Sequence, residues 1–162
     1  FSGDWKGIDL SFLFQAGLGR DVALTGVYSG GIMDNTQMTK PFYHGGNSPK
    51  YLVENSWRED NTNAEFPRLS IVQASSNNAY SSTFWYRSGD YLRLKNLQIG
   101  YTFPQKWMSR IGIDRLRIYF EGQNLWTVSE LTKFNIDPEQ PGVSNGYYPQ
   151  QRIFSFGVNL AF

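Results

Sequence analysis

Large apolar side chains recur at every second position in four stretches of this 162-residue chain. Over residues 7–18, Ile8, Leu10, Phe12, Phe14, Ala16 and Leu18 alternate with Asp9, Ser11, Gln15 and Gly17, and Leu13 is the one apolar exception on the second face. Leu97, Ile99, Tyr101 and Phe103 alternate with Gln98, Gly100 and Thr102. Leu116, Ile118, Phe120 and Trp126 oppose Arg115, Arg117, Tyr119, Glu121 and Gln123. The chain closes on Phe154, Phe156, Val158, Leu160 and Phe162, with Ile153, Ser155, Gly157, Asn159 and Ala161 between them. A period of two marks β-strands with two different faces. The pattern therefore predicts an all-β fold, an antiparallel meander of four long strands over about 6–18, 91–103, 115–126 and 152–162.

One phase slip interrupts the pattern: Leu92 and Leu94 are even, whereas Leu97 and Ile99 are odd. Either a bulge lies near Lys95 and Asn96 or the strand changes surroundings there, and a continuous strand that changes surroundings is the reading adopted. The connections alternate in length. Residues 104–114 form a short turn, with Pro104 placed to start one helical turn and Gly112 to end it. Residues 127–151 carry three prolines and read as a long irregular loop. Residues 19–90 are longer still, with a strand continuation at "DVALTGVY", a short helix around "SPKYLVENSW" and a polar tip at "SSNNAYSS".

Alternating strands suit a soluble sandwich or a membrane barrel, and strand length separates the two. A strand of about 10–11 residues tilted by about 40° spans roughly 25–28 Å, the height of an outer-membrane apolar band. Sandwich strands commonly hold about 5–6 residues. Composition agrees with the barrel, since aromatics make up 17% of the chain. Trp5, Tyr101, Phe103, Trp107, Trp126 and Phe162 lie at or just past strand ends, where an interfacial girdle would sit. No apolar run is long enough for a membrane-spanning helix, a test that is blind to barrels. A net charge of +1 with scattered Lys and Arg argues against a nucleic-acid partner, and with no cysteine there is neither a disulfide framework nor a thiolate metal site. The chain starts just before a strand, without a signal-like head, as a piece cut from a longer protein would.

The stretch "SGDYLRLKNLQIGYTFP", residues 88–104, resembles the C-terminal barrel of the SusC/RagA family of TonB-dependent outer-membrane transporters of Bacteroidetes. "WKGIDLSFLFQAGLGRD", "NSWREDNTNAEFPRL", and "LRIYFEGQNLWT" followed by "DPE" and "GYYPQQRIFSFGVNLAF" resemble further parts of that family. The resemblance implies a barrel of about 22 strands, of which this chain holds about the last four, with 19–90 and 127–151 outside the cell and 104–114 in the periplasm. It also implies an N-terminal plug outside the stretches matched here, TonB contacting the protein through that plug, a SusD-like surface lipoprotein as lid, and uptake of oligosaccharides or peptides. The terminal row Phe154, Phe156, Val158, Leu160 and Phe162 resembles the signal read by the barrel-assembly machinery, and the same side chains would face outer-membrane lipid.

For ligand contact, the long loops offer Trp57, Tyr80, Trp85, Tyr86, Tyr147 and Tyr148, whose flat faces suit sugars or a partner surface. Arg117 and Glu121 share the lumen face but stand about 13 Å apart along the strand, too far to pair. No catalytic constellation emerges, so the protein is not expected to be an enzyme, and no cofactor is expected. His44, the only histidine, reads as an exposed loop residue. "DNTNAE", residues 60–65, lacks the glycine and distal glutamate of a calcium loop. Asp137 and Glu139 flank Pro138 with no evidence of an acid/base pairing. The competing reading is a soluble β-sandwich that grips glycan through loop aromatics. Burial of Phe12, Ile99, Phe120 and Phe156 in a closed core would favour it; one exposed face would favour the barrel.

Overall fold

A computed structural model describes residues 1–24, 49–69, 82–141 and 150–162. Its main sheet has five strands: β1 (Ser2–Trp5), β2 (Ile8–Gly17), β5 (Tyr91–Thr102), β6 (Arg115–Ser129) and β7 (Ile153–Ala161). They lie side by side in that order, and the β1–β2, β2–β5 and β6–β7 pairings are antiparallel. The four long strands occupy the alternating stretches, and β1 adds a fifth strand that the periodicity did not reveal. The sheet is open, with β1 and β7 as its edges. A separate small sheet pairs β3 (Asp21–Ala23) with β4 (Tyr86–Ser88).

Local chemistry explains the connections. Lys6 and Gly7 both have positive φ, the signature of a two-residue type I′ turn whose twist matches that of the flanking strands. Gly7 is required there, because a Cβ would stand 2.7 Å from the Thr102 carbonyl oxygen. Beyond β5, Pro104 caps the helical turn α2 (Gln105–Met108), which tightens into a 3₁₀ turn and stops at Gly112 with φ 73°. Backbone bonds from Thr102 N to Gly7 O, from Phe103 N to Leu116 O and from Asp114 N to Ala161 O bring both short connections and the end of β7 to one end of the sheet.

The phase slip in β5 is a bulge. Leu13 pairs with Asn96 and Phe14 with Leu94, so the β2–β5 register steps over Lys95. This corrects the reading of a strand that changes surroundings: the extra residue re-phases β5, so that Leu92 and Leu94 join the face of Leu97 and Ile99. One face of the sheet is therefore apolar throughout, through the pairs Phe12–Leu97, Leu10–Ile99, Ile118–Val158 and Phe120–Phe156.

The segments Leu18–Asp90 and Ser129–Tyr148 form a second compact unit. Their described residues share a core of their own. Val22, Leu24, Leu52, Phe66, Trp85, Leu131, Phe134 and Ile136 are buried together, with Tyr51 and Leu69 packed against them. Leu52 comes from α1 (Lys50–Glu54), the short helix expected near residue 50. Residues Glu130–Phe134 form a 3₁₀ helix that Ser129 Oγ caps by accepting from Leu131 N, and Asn135 ends it in the left-handed conformation. The expected strand at "DVALTGVY" is described only as β3, because residues 25–48 lie outside the described part, as do residues 75–81 of the polar tip.

Candidate functional site

The two faces of the main sheet differ in what they can touch. On the apolar face Ile99 and Ile118 are exposed, and Phe156 on the edge strand β7 and Phe162 just past its end reach 83% and 86% exposure. Phe12, Ile99, Phe120 and Phe156 thus lie on one face that no closed core covers among the described residues. A shallow depression of about 700 Å³ on this face is lined by apolar side chains that include Ile8, Ile99, Ile118, Phe156 and Val158. A continuous apolar face of this extent needs a non-aqueous neighbour. At the short-turn end stand Trp5, Trp107 and Phe162, all exposed, with Tyr101 and Phe103 edge to face at 5.0 Å and Lys6 Nζ 4.7 Å above the Trp5 ring.

The opposite face carries a polar row. Asp9 on β2 sits across from Gly100 on β5, and Arg117 on β6 reaches over that glycine to Asp9 with Nε–Oδ2 at 2.9 Å and Nη2–Oδ1 at 2.5 Å. The guanidinium also lies 4.8 Å from the Tyr119 ring, and Tyr119 faces Gly157 on β7, where a Cβ would overlap its ring. The sequence separates Arg117 correctly from Glu121 but hides its partner, because Asp9 is 108 residues away. Glu121 instead accepts from Gln123 Nε2 at 3.3 Å.

In the second unit the organising charge is Glu65. Its carboxylate accepts from Tyr51 Oη at 2.7 Å, from Arg87 Nη2 at 3.2 Å and from Lys133 Nζ at 3.2 Å, tying α1, β4 and the 130–134 turn together. Partial burial works to raise this carboxyl, but the bonds from Tyr51, Lys133 and Arg87 outweigh it and hold the group below the usual carboxylate range. The bond to Glu65, with burial and the carboxylate charge, pushes the Tyr51 phenol up to about 12. Glu130 joins the network at 3.5 Å from Lys133 Nζ.

Beside Glu65 lies an open cleft of about 430 Å³, lined by Trp57, Phe66, Pro67 and Phe84 together with Glu65 and Arg68. The loop that carries Trp57 is closed by Phe66 N bonding to Asn55 O and Trp57 N bonding to Phe66 O, both at 2.9 Å. Buried Ser56, whose Oγ donates to Leu52 O, and core Phe66 anchor its two ends. Phe84 packs edge-on against buried Trp85 at 4.8 Å, and its carbonyl accepts from Arg87 Nη1. Trp57 and Phe84 remain 36% and 44% exposed.

The aromatics read as ligand contacts therefore separate. Trp57 lines the cleft and Tyr86 is exposed on β4, but Trp85 is a core residue at 3% exposure and offers no face to a ligand, which corrects its expected role. Tyr80, Tyr147 and Tyr148 lie outside the described residues, as does His44. Sequence reading missed Phe84 and Arg68; the signal was their nearness to Trp85 and to the "EFPRL" run. Among the described residues no cluster of three or more His, Asp or Glu side chains is placed to hold a metal, and no helix is long and apolar enough to cross a membrane. Asp137 Oδ1 accepts from the Glu139 backbone N–H at 2.9 Å in a local turn.

No family model matches the sequence. The chain is 29% identical over 171 residues to TonB-dependent receptor P3 of Formosa agariphila, a match covering 98% of this chain and 15% of the relative. It is 30% identical over 105 residues to TonB-dependent receptor SusC of Bacteroides thetaiotaomicron, covering 63% of this chain and 10% of the relative. Among solved structures, that of the RagAB peptide transporter matches with a TM-score of 0.67 and 27% identity, over 98% of this chain and 16% of that one. The RagAB peptide importer in its closed-closed state matches with a TM-score of 0.65 and 26% identity, over the same shares of both chains. The chain thus spans only about 15% of the length of the curated relatives that match it along 98% of its own length.

Proposed function

We propose, on the premise that this chain belongs to the SusC/RagA family of TonB-dependent receptors, that it forms part of the wall and outer loops of an outer-membrane nutrient importer. The observation that carries the reading is the two-faced sheet: a continuous exposed apolar face suits lipid, and the polar row around Asp9 and Arg117 suits a hydrated lumen. In this reading the main sheet supplies the last strands of a barrel of about 22. The connection 104–114 is a periplasmic turn, and residues 19–90 and 127–151 are the extracellular loops. Edge strand β7, with Phe154, Phe156, Val158, Leu160 and Phe162, serves as the handle for the barrel-assembly machinery.

The cargo is an oligosaccharide or a peptide, captured with a SusD-like lipoprotein and drawn in through energy coupling by TonB acting on the plug. The protein has no enzymatic role in this scheme. The similarity to SusC and to the RagAB peptide transporter supports both the partner and the cargo class. The soluble sandwich is disfavoured because the apolar row of β7 has no cover among the described residues. The test is to express the full-length protein in a Bacteroidetes host and follow uptake of labelled oligosaccharides and peptides with and without TonB. Loss of uptake without TonB, with the protein in the outer-membrane fraction, is expected. A soluble protein, or uptake indifferent to TonB, overturns the reading.

A further inference from the structure

The cleft beside Glu65 combines preformed aromatic walls with one uncompensated cation. Its walls are set before any ligand arrives, because Phe84 packs edge-on against the buried Trp85 ring with its carbonyl held by Arg87, and Trp57 N is bonded to the carbonyl of buried Phe66. Preorganised walls lower the ordering cost of binding. The charges are uneven. Glu65 is already matched by Arg87 and Lys133, and Arg58 on the neighbouring loop pairs with Asp60 at 3.3 Å. Arg68, which lines the cleft and is exposed, has no ion pair or hydrogen bond among the described residues. A guanidinium presents a planar fork that fits a carboxylate with two parallel bonds, and flat rings favour a flat, weakly polar body between them.

We infer that this cleft binds a carboxylate-bearing segment of the imported material, its charge on Arg68 and its flat body between Trp57 and Phe84. The inference rests on the importer reading for where the ligand comes from, but the cleft can be tested apart from transport. Two sources share the chemistry: a uronic-acid oligosaccharide and a peptide with an acidic side chain or free C-terminus.

The experiment is calorimetric titration of the full-length protein in detergent with tetragalacturonate and with an aspartate-containing tetrapeptide. Maltotetraose and the asparagine version of the peptide serve as neutral counterparts. One acidic probe is expected to bind more tightly than its neutral counterpart, and which one does so identifies the source. Arg68→Ala should weaken that probe about tenfold, as loss of a charge-assisted contact does. Arg68→Lys should recover part of the loss, and Trp57→Ala should weaken the acidic and neutral forms alike. Arg68 is exposed, so its variants are expected to fold, and unchanged migration of the folded protein on unheated gels checks this. Failure of both acidic probes to bind, or an Arg68→Ala affinity within about twofold of the parent, overturns the inference. In that event TonB-dependent uptake in cells leaves the importer reading standing, whereas loss of TonB dependence with intact acidic binding removes the importer reading alone.

Discussion

Replacing Gly100 with alanine should split the ion pair that crosses it. An added Cβ would lie 2.5 Å from Asp9 Oδ2 and 2.6 Å from Arg117 Nη2, distances that real side chains do not tolerate. One partner must swing away, and the two bonds between Arg117 and Asp9 go with it. Hydrogen bonds between charged groups contribute about 1.5–3 kcal/mol, and because a third of the Asp9 side chain is open to solvent the loss should be nearer 1–2 kcal/mol. The assay is urea unfolding of the full-length protein refolded into vesicles, monitored by the shift between folded and unfolded forms on unheated gels. Asp9→Ala alone should destabilise by a similar amount. The decisive measurement is the double variant: with the Asp9 carboxylate gone, the new methyl group has room, and Gly100→Ala should then cost little. If the two substitutions add within about 0.5 kcal/mol, the glycine does not act through the pair and the reasoning is refuted.

Four further outcomes are expected. Phe134→Ala should destabilise the Leu18–Asp90 and Ser129–Tyr148 unit by about 3–5 kcal/mol, seen as faster proteolysis there while the folded barrel still resists gel unfolding. Glu65 is held below its ordinary range in the folded state, so its contribution is present above the ordinary carboxylate pKa and lost as pH falls through the lower folded value; Glu65→Gln should flatten the acid limb of a protease-sensitivity profile. Tyr51 is raised to about 12, so its contribution is intact below pH about 10 and lost on the way to 12, and Tyr51→Phe should remove that alkaline limb. Deleting Phe162 should lower the amount of folded protein in the outer membrane, read by quantitative blotting, without changing ligand affinity of the molecules that insert.

The strands were legible because a two-faced environment imposes a period of two along β2, β5, β6 and β7, broken only at single residues such as Leu13 and at the slip in β5. The slip between Leu94 and Leu97 was visible for the same reason, but its cause was not. One sequence records only the slip, whereas the pairing of Leu13 with Asn96 and of Phe14 with Leu94 identifies a bulge. Nothing periodic announced the core of the second unit: Leu24, Leu52, Phe66, Trp85 and Phe134 come from segments far apart in the chain and meet only after folding. For that reason Trp85 passed for a ligand-facing ring. The Glu65 network and the Asp9–Arg117 pair were hidden likewise, since each joins residues from separate elements.

The bulge at Lys95 makes the arrangement of strand residues a matter of counting. With one extra residue in β5, every side chain before it keeps the side it would otherwise have lost. Removing Lys95 alone would therefore erase the bulge and leave a regular alternation, with Leu92 and Leu94 still on the side of Leu97 and Ile99. Adding one residue at the slip would also restore a period of two, moving Leu92 and Leu94 two positions along β2 without changing their side. A one-residue change at the slip should thus be tolerated, whereas one between Leu97 and Ile99 would turn part of the apolar row away unless a second bulge formed. A scan of one-residue indels across 91–99 would read that difference directly from the level of inserted protein.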